Sequence, residues 1–210
     1  MSDELIIDPQ PQIDIANDTS VVPHKRKAKL TYQHIVQKPS LCGPTSLQMI
    51  LQRRGTWFDQ EEIAKEVGVK IAADEADAFS IPLPVGNNPK ELGMDLDAFE
   101  GPQVKAFLVK NNVSLEPKVY HRSEIADIGQ FIYENLQQGY DVMADIWMAH
   151  YKEDLPMGHY CLISAIEGDT LTLCDPWPTT EKFWETSVED LGRSMDASHD
   201  GTERGFVVFK

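Results

Sequence analysis

The sequence has no long apolar run, only three cysteines and a shortage of basic residues, and each shortage excludes a class of protein. No stretch approaches the roughly eighteen consecutive apolar residues of a membrane-spanning helix. Three cysteines without a Cys-x-x-Cys pair are typical of reduced thiols and do not indicate a disulfide framework. Nineteen Lys and Arg against 34 Asp and Glu give a net charge of −15, which opposes binding to nucleic acid or anionic lipid. Residues 1–12 lack the basic and apolar parts of a secretory signal, so a cytoplasmic location is predicted.

The rest of the composition is that of a globular protein. The chain has 210 residues, of which 41% are hydrophobic and 25% charged, enough for a sizeable core. Residues 1–29 carry acids, prolines and few large apolar side chains, and are predicted to form a flexible or extended arm. The basic run at residues 24–29 is interpreted as a solvated linker. One domain is therefore predicted over residues 30–210.

The segment over residues 37–55 places a cysteine at the start of a predicted helix. Pro44 suits a first helical turn, apolar residues then recur at i, i+3 and i+4, and Gly55 suits the left-handed position that ends a helix. The helix is predicted over residues 43–54. Cys42 then lies at its positive end, where unpaired N–H groups favour a thiolate. A lone cysteine is more often a small buried hydrophobe, so a nucleophile also requires a histidine, a group that orients it and oxyanion donors.

The first half of the remaining chain is predicted to be mostly helical. Helices are predicted over residues 60–67, 103–110 and 124–138. Asp59 is the expected N-cap of the first of them. Short strands are predicted over residues 30–40, ending in a proline turn, and over residues 114–121. Residues 72–101 are acidic and rich in Pro and Gly, and are predicted to form an irregular segment that borders a groove.

The last third of the sequence has the apolar and β-branched content of strands. Strands are predicted over residues 140–147, 159–168, 169–177 and 205–210. Gly168 and Asp169 form a good hairpin turn between the middle two. Pairing about this turn brings His159, which opens one strand, beside Asp175, which ends its partner. A helical first half packed on an antiparallel sheet indicates the α+β class.

These positions suit a thiolate–imidazolium pair made by Cys42 and His159. Asp175 would hold the histidine tautomer and stabilise the imidazolium. Gln37, five positions before Cys42, can donate its amide to an oxyanion together with the backbone N–H of Cys42, and each such donor is typically worth about 3–4 kcal/mol. The alternative is a metal site made by Cys161, Cys174, His159 and Asp175, although strand-borne cysteines are more often core residues.

Two blocks, QKPSLCGPTSLQMIL and GHYCLISAIEGDTLTLCDPW, resemble papain-like cysteine peptidases. More narrowly, the sequence resembles the bacteriocin-processing, double-glycine leader peptidases, numbered thirty-nine among peptidase families, and their stand-alone relatives. The resemblance covers about residues 32–177. It implies a papain-like fold, a peptide or protein substrate and no cofactor, with Cys42 as nucleophile, His159 as base, Asp175 as orienting residue and Gln37 as oxyanion donor.

The sequence departs from that family's pattern close to the cysteine. The family more often has an acidic residue directly before the cysteine and its glutamine one position further away, whereas Leu41 precedes Cys42 here. Gln33 is therefore a second candidate for the oxyanion donor. The same frame also serves acyl transfer, as in transglutaminase-like and phytochelatin-synthase-like relatives, and an inactive module that binds peptides is a third alternative. The sequence gives no indication of the oligomeric state.

Overall fold

The computed structural model describes residues 26–197 and 200–210, and in them five α-helices flank one antiparallel sheet. The helices are α1 (Cys42–Arg53), α2 (Gln60–Val67), α3 (Pro102–Lys110), α4 (Ile128–Gln137) and α5 (Val188–Asp196). The strands are β1 (Lys27–Lys29), β2 (Pro117–His121), β3 (Asp141–Trp147), β4 (Gly158–Glu167), β5 (Thr170–Cys174), β6 (Phe183–Ser187) and β7 (Gly205–Phe209). The predicted α+β class is confirmed.

The sheet has the strand order β2-β7-β3-β4-β5-β6, and β1 pairs with the far end of β4. The hairpin between β4 and β5 turns at Gly168, whose φ of 63° is the left-handed conformation expected of that turn. In this hairpin Leu162 pairs with Cys174, so the start of β4 lies close to the chain that follows β5. The end of the hairpin therefore brings His159 and Asp175 to one edge of the fold.

The two faces of the sheet carry separate hydrophobic clusters, because side chains alternate along each strand. In β7, Val207 and Phe209 pack with α1 and α3, whereas Phe206 and Val208 pack with α4 and α5. The same alternation places Leu162 of β4 in the first cluster and its neighbours in the second. The sheet is thus a middle layer between two groups of helices.

Helices α1 and α2 follow the sequence prediction closely. Helix α2 has the predicted bounds, and Asp59 caps it by accepting a hydrogen bond from the backbone N–H of Glu61. Helix α1 begins one residue earlier than predicted, at Cys42, and Gly55 after its end has a φ of 84°. The cysteine is therefore the first residue of the helix itself.

Other predicted bounds were wrong. Helix α4 begins at Ile128 and not at residue 124, because the Asp127 side chain caps it by accepting from the backbone N–H of Gln130 at 2.9 Å. The strand predicted over residues 30–40 is not formed; the strand there is β1, just before it. Strand β6 and helix α5 were not predicted.

The described part of the basic run is not a linker, because it leads into strand β1, in which Lys27 and Lys29 stay exposed. Arg26 is 5% exposed, with ion pairs to Asp127 at 2.7 Å and Asp169 at 3.4 Å, and Lys27 pairs with Glu167 at 2.9 Å. These ion pairs stabilise the pairing of β1 with β4. The division into an arm of residues 1–29 and a domain of residues 30–210 stays a prediction, because residues 1–25 lie outside the described residues. No helix in the described ranges is long and apolar enough to cross a membrane.

Candidate active site

Cys42 is held at the start of α1 by a buried helix and a constrained turn. The residues from Gly43 to Leu51 are buried, whereas Cys42 itself is partly exposed. Ser40, two positions earlier, has a φ of 59°, a left-handed conformation that is uncommon for a residue other than glycine. Leu41 is fully buried and anchors the turn between them. The fixed turn and helix present the thiol at the wall of a cleft.

His159 and Asp175 form a fully buried pair. The Nε2 atom of His159 lies 2.7 Å from the Oδ1 atom of Asp175, and neither side chain is exposed. Burial is the largest influence on the pKa of His159 and lowers it, but hydrogen bonds and charges from Asp175 and Cys42 together outweigh burial and raise this pKa from 6.5 to about 9. The imidazole is therefore held as a cation at neutral pH.

The second ring nitrogen of His159 is the one available to Cys42. Its Nδ1 atom is buried and has no partner within hydrogen-bond geometry, yet the thiol of Cys42 is close enough to contribute to the raised pKa of the ring. The structure thus brings the predicted cysteine, histidine and aspartate together in one chain of contacts.

Asp175 is held as a carboxylate by three donors. Its Oδ1 atom accepts from His159 and from the backbone N–H of Trp177 at 2.8 Å, and its Oδ2 atom accepts from the indole Nε1 of Trp184 at 2.9 Å. Burial raises the pKa of Asp175, but the hydrogen bond and charge of His159, with the two tryptophan donors, outweigh burial and leave this pKa below 3.8. The ring of Trp177 also meets His159 edge-on, with centroids 5.6 Å apart.

Gln37 and Gln33 lie in different surroundings. Gln37 is 8% exposed, its Oε1 atom is buried without a hydrogen-bond partner, and its backbone N–H donates to the carbonyl of Pro176 at 2.9 Å. Gln33 is exposed and accepts a hydrogen bond from Gln52, which lies ten residues along α1 from Cys42, a distance of about 15 Å. The position of Gln33 is therefore against its role as an oxyanion donor, and the role of Gln37 stays a prediction.

The cleft beside Cys42 has a volume of about 410 Å³ and is rich in charged side chains. Part of its wall comes from residues 89–96, so the irregular segment over residues 72–101 borders the groove as predicted. On another wall, Arg204 donates to both oxygens of Asp145, at 2.9 and 3.2 Å. Burial raises the pKa of Asp145 to about 7 despite the opposing charge of Arg204. Gly158 allows this approach, because a Cβ there would lie 2.1 Å from the Arg204 guanidinium.

The alternative metal site is not supported by the positions of the two other cysteines. Cys161 and Cys174 are both fully buried but pack in different hydrophobic clusters, on opposite faces of the sheet. Within residues 26–197 and 200–210, no group of three or more His, Cys, Asp or Glu side chains is arranged to hold a metal ion. Burial is the largest cause of the raised pKa of each thiol, as expected of core residues.

Sequence reasoning missed several groups that surround Cys42, His159 and Asp175. They are Asp145, Trp184 and Arg204, together with His34, whose ring lies 2.7 Å from the backbone oxygen of Asp175. Trp184 could have been found from the alternating segment FWETS, which has strand character, but its hydrogen bond to Asp175 depends on how β6 pairs with β5.

Comparisons with known proteins point to one kind of enzyme. The model of the peptidase C39-like family matches residues 29–194. Among solved structures, a C39-like peptidase from Bacillus anthracis is 16% identical, with a TM-score of 0.58 and coverage of 88% of this chain and 97% of that one. The peptidase domain of Streptococcus ComA, a bifunctional ABC transporter involved in a quorum-sensing pathway, is 16% identical, with a TM-score of 0.51 and coverage of 85% and 96%. The papain-like fold that the sequence predicts is confirmed by this likeness. No curated protein matches the chain.

Proposed function

The chain belongs to the peptidase C39-like family, and on that premise we propose that it hydrolyses a peptide or amide bond through a thioacyl intermediate on Cys42. The family resemblance read from the sequence is thereby confirmed, and the fold is that of a cysteine peptidase. The observation that carries the proposed mechanism is the buried His159–Asp175 hydrogen bond of 2.7 Å, whose histidine leaves only Nδ1 for Cys42. Cys42, His159 and Asp175 were the residues that the sequence analysis expected in these roles.

In the first step, the Cys42 thiolate attacks the carbonyl carbon of the substrate, and a carbon–sulfur bond forms. The negative charge moves to the carbonyl oxygen, which accepts hydrogen bonds from the backbone N–H of Cys42 and from the Gln37 amide. The burial of Gln37 beside Pro176 supports this role, because such a side chain has few positions to adopt. Each donor is worth about 3–4 kcal/mol of transition-state stabilisation.

The intermediate then breaks down toward the thioester. His159 gives its Nδ1 proton to the leaving nitrogen, the carbon–nitrogen bond breaks, and the amine leaves. Water attacks the thioester, His159 accepts a proton from the water, and the carbon–sulfur bond breaks to release the acid. Asp175 keeps the ring in the tautomer that these transfers need and stabilises its positive charge.

We infer that the substrate is a neutral or basic peptide. The cleft lining has two cations, Lys90 and the Arg204 that pairs with both Asp145 and Asp200. They are outnumbered by four acidic side chains, Glu75, Asp95, Asp145 and Asp200. A negative potential in such a cleft favours cationic over anionic peptides. A cytoplasmic location belongs to the same proposal, and the three free cysteines suit a reducing compartment.

The test is to profile the protein and its Cys42→Ala variant on a mixed peptide library, with mass detection of acyl adducts. We expect cleavage and a trapped acyl group on Cys42 in the unaltered protein, and neither in the variant. Equal turnover by both proteins would sink the proposal. Partition of the trapped acyl group between water and added amines distinguishes hydrolysis from acyl transfer, and only a dominance of the amine product would replace the peptidase assignment.

A further inference from the structure

The two oxygens of the Asp175 carboxylate are unequally supported. Oδ1 accepts from the His159 ring and from the backbone N–H of Trp177, whereas the donor to Oδ2 is the indole N–H of Trp184, at 2.9 Å. Because the Asp175 side chain is 0% exposed, water does not replace a lost donor at Oδ2. A buried carboxylate oxygen without a donor carries a large desolvation cost, so Trp184 decides the state of that oxygen.

The Trp184 ring is itself held in position. It lies on β6, where its residue pairs with Leu173 of β5, and its ring packs edge-on against Tyr151 with centroids 4.9 Å apart. The Tyr151 hydroxyl in turn lies 3.3 Å from the Oγ1 atom of Thr186 on the same strand. An indole held by its strand and by the Tyr151 ring defines the direction from which Oδ2 accepts its hydrogen bond.

We propose that Trp184 is a positioning residue for the triad, whose indole N–H fixes the plane of the Asp175 carboxylate so that Oδ1 faces the Nε2 atom of His159. This inference rests on the proposed function, in which Asp175 orients His159. With donors at Oδ1 alone, rotation of the carboxylate about its Cβ–Cγ bond is resisted at only one of its two oxygens. A donor at each oxygen fixes that rotation, as outer-shell partners do for catalytic and metal-bound groups.

The electrostatic consequence has a definite sign. Trp184 is among the donors that lower the pKa of Asp175, so removal of its N–H raises that pKa. Activation of Cys42 requires an ionised Asp175 beside the His159 imidazolium. The acid limb of Cys42 reactivity is therefore expected at higher pH once the donor is lost.

The experiment measures iodoacetamide alkylation of Cys42 against pH, which requires no substrate, in the full-length protein. Trp184→Phe removes the donor, and replacement of Trp184 by benzothienylalanine removes it while keeping the shape of the ring. We expect both variants to show an alkylation rate at neutral pH about tenfold or more below that of the unaltered protein, a magnitude typical of lost outer-shell partners, and an acid limb shifted to higher pH. Trp57→Phe is the control, because Trp57 is 63% exposed and follows the end of α1 that is opposite to Cys42.

A second readout separates orientation from general loss of packing. The proton between His159 Nε2 and Asp175 Oδ1 should give a far-downfield proton resonance in the unaltered protein and in Trp57→Phe, and that resonance should weaken or move in the benzothienylalanine variant. If the unaltered protein shows the activated thiol and both Trp184 variants match it, the positioning role is wrong and the peptidase proposal stands. If Cys42 of the unaltered protein reacts only as fast as a free cysteine, the proposed function fails and the role of Trp184 fails with it.

Discussion

At the scale of single residues, the protonation of His159 affects both the stability of the fold and the proposed chemistry. Burial lowers its pKa, whereas Asp175 and Cys42 raise it, and the net result is a pKa of about 9. A histidine whose pKa is higher in the folded than in the unfolded chain stabilises the fold as a cation. This contribution is fully present below about pH 6.5 and is lost as the pH rises through about 9. The buried imidazolium of His159 thus contributes to the stability of the domain.

We expect Asp175→Asn to reduce the pH dependence of the free energy of unfolding between pH 7 and 9. In the unaltered protein, a His159 pKa raised from 6.5 to about 9 corresponds to roughly 3 kcal/mol of folding stability that is lost as the pH rises through this range. The variant should lose much less, because the Asp175 charge that stabilises the protonated His159 is gone. Denaturant unfolding at several pH values measures this. The raised pKa of Asp145, about 7, also makes the free energy of unfolding fall as the pH rises, but mainly below pH 7.

Asp97→Asn is the control, because the Asp97 side chain is 76% exposed and pairs with His121, not with His159 or Asp175. Between pH 7 and 9 it should follow the unaltered protein. Equal slopes for Asp175→Asn and the unaltered protein would contradict the coupling of His159 to Asp175.

At the scale of elements, Glu61 of α2 fastens the segment over residues 72–101 beside the cleft. Its side chain is 6% exposed, and its Oε2 atom accepts from the backbone N–H groups of Ser80 at 2.8 Å and Ile81 at 3.0 Å. Its Oε1 atom pairs with Lys38, which also donates to the carbonyl of Ala78 at 2.9 Å. Since Lys38 follows Gln37 in the chain, one carboxylate connects α2, the groove segment and the turn that precedes Cys42.

We expect Glu61→Ala to destabilise the protein by about 3 kcal/mol, because it leaves two backbone N–H groups and a lysine without their partner. Hydrogen exchange of the Ser80 and Ile81 amides should accelerate more than exchange in the sheet. Glu66→Ala on the same helix is the control, since the pair of Glu66 with Lys110 is exposed and worth less than about 1 kcal/mol. Unchanged exchange at Ser80 and Ile81 in Glu61→Ala would show that the segment is held by other contacts.

At the scale of the whole molecule, the net charge of −15 and the acidic cleft act in the same direction. Surface charges attract a cationic peptide over distances up to about the Debye length, which is about 10 Å at 0.1 M salt. Lys90 is exposed, but the acidic side chains of the cleft lining outnumber its cations. The electrostatic potential of the cleft therefore has the same sign as the net charge of the protein. Encounter with a basic peptide is therefore accelerated by the protein as a whole.

We expect kcat/KM for a basic peptide to fall as salt rises, with little change for a neutral peptide of the same sequence frame and a rise for an acidic one. Initial rates across about 0.02 to 0.5 M salt measure the three slopes, and the neutral peptide is the control for general salt effects. Identical slopes for all three peptides would contradict charge steering and would leave the triad untouched.

The sequence by itself determined the local elements whose signals are short-range. Asp59 and Gly68 enclose α2, Gly55 ends α1, and Gly168 turns the β4–β5 hairpin, because capping and left-handed residues act on their own neighbours. The hairpin turn also determined that His159 and Asp175 lie at neighbouring strand ends, but a register shift between Ile163 and Ala165, which the sequence did not reveal, decides that their side chains share a face. Cys42, His159 and Asp175 were thus selected by sequence reasoning, and their catalytic roles stay predictions.

Only the tertiary structure decided what depends on partners far apart in the chain. The basic run pairs with β4 as strand β1, and Arg26 before it forms ion pairs with Asp127 and Asp169, which are 101 and 143 residues away in the chain. The argument against Gln33 as oxyanion donor also required the structure, because it depends on the hydrogen bond from Gln52, at the far end of α1, to the Gln33 side chain. Trp184 meets Asp175 only because β6 pairs with β5 at one register. Burial, long-range pairing and the resulting pKa values are properties of the packed chain, and no local pattern encodes them.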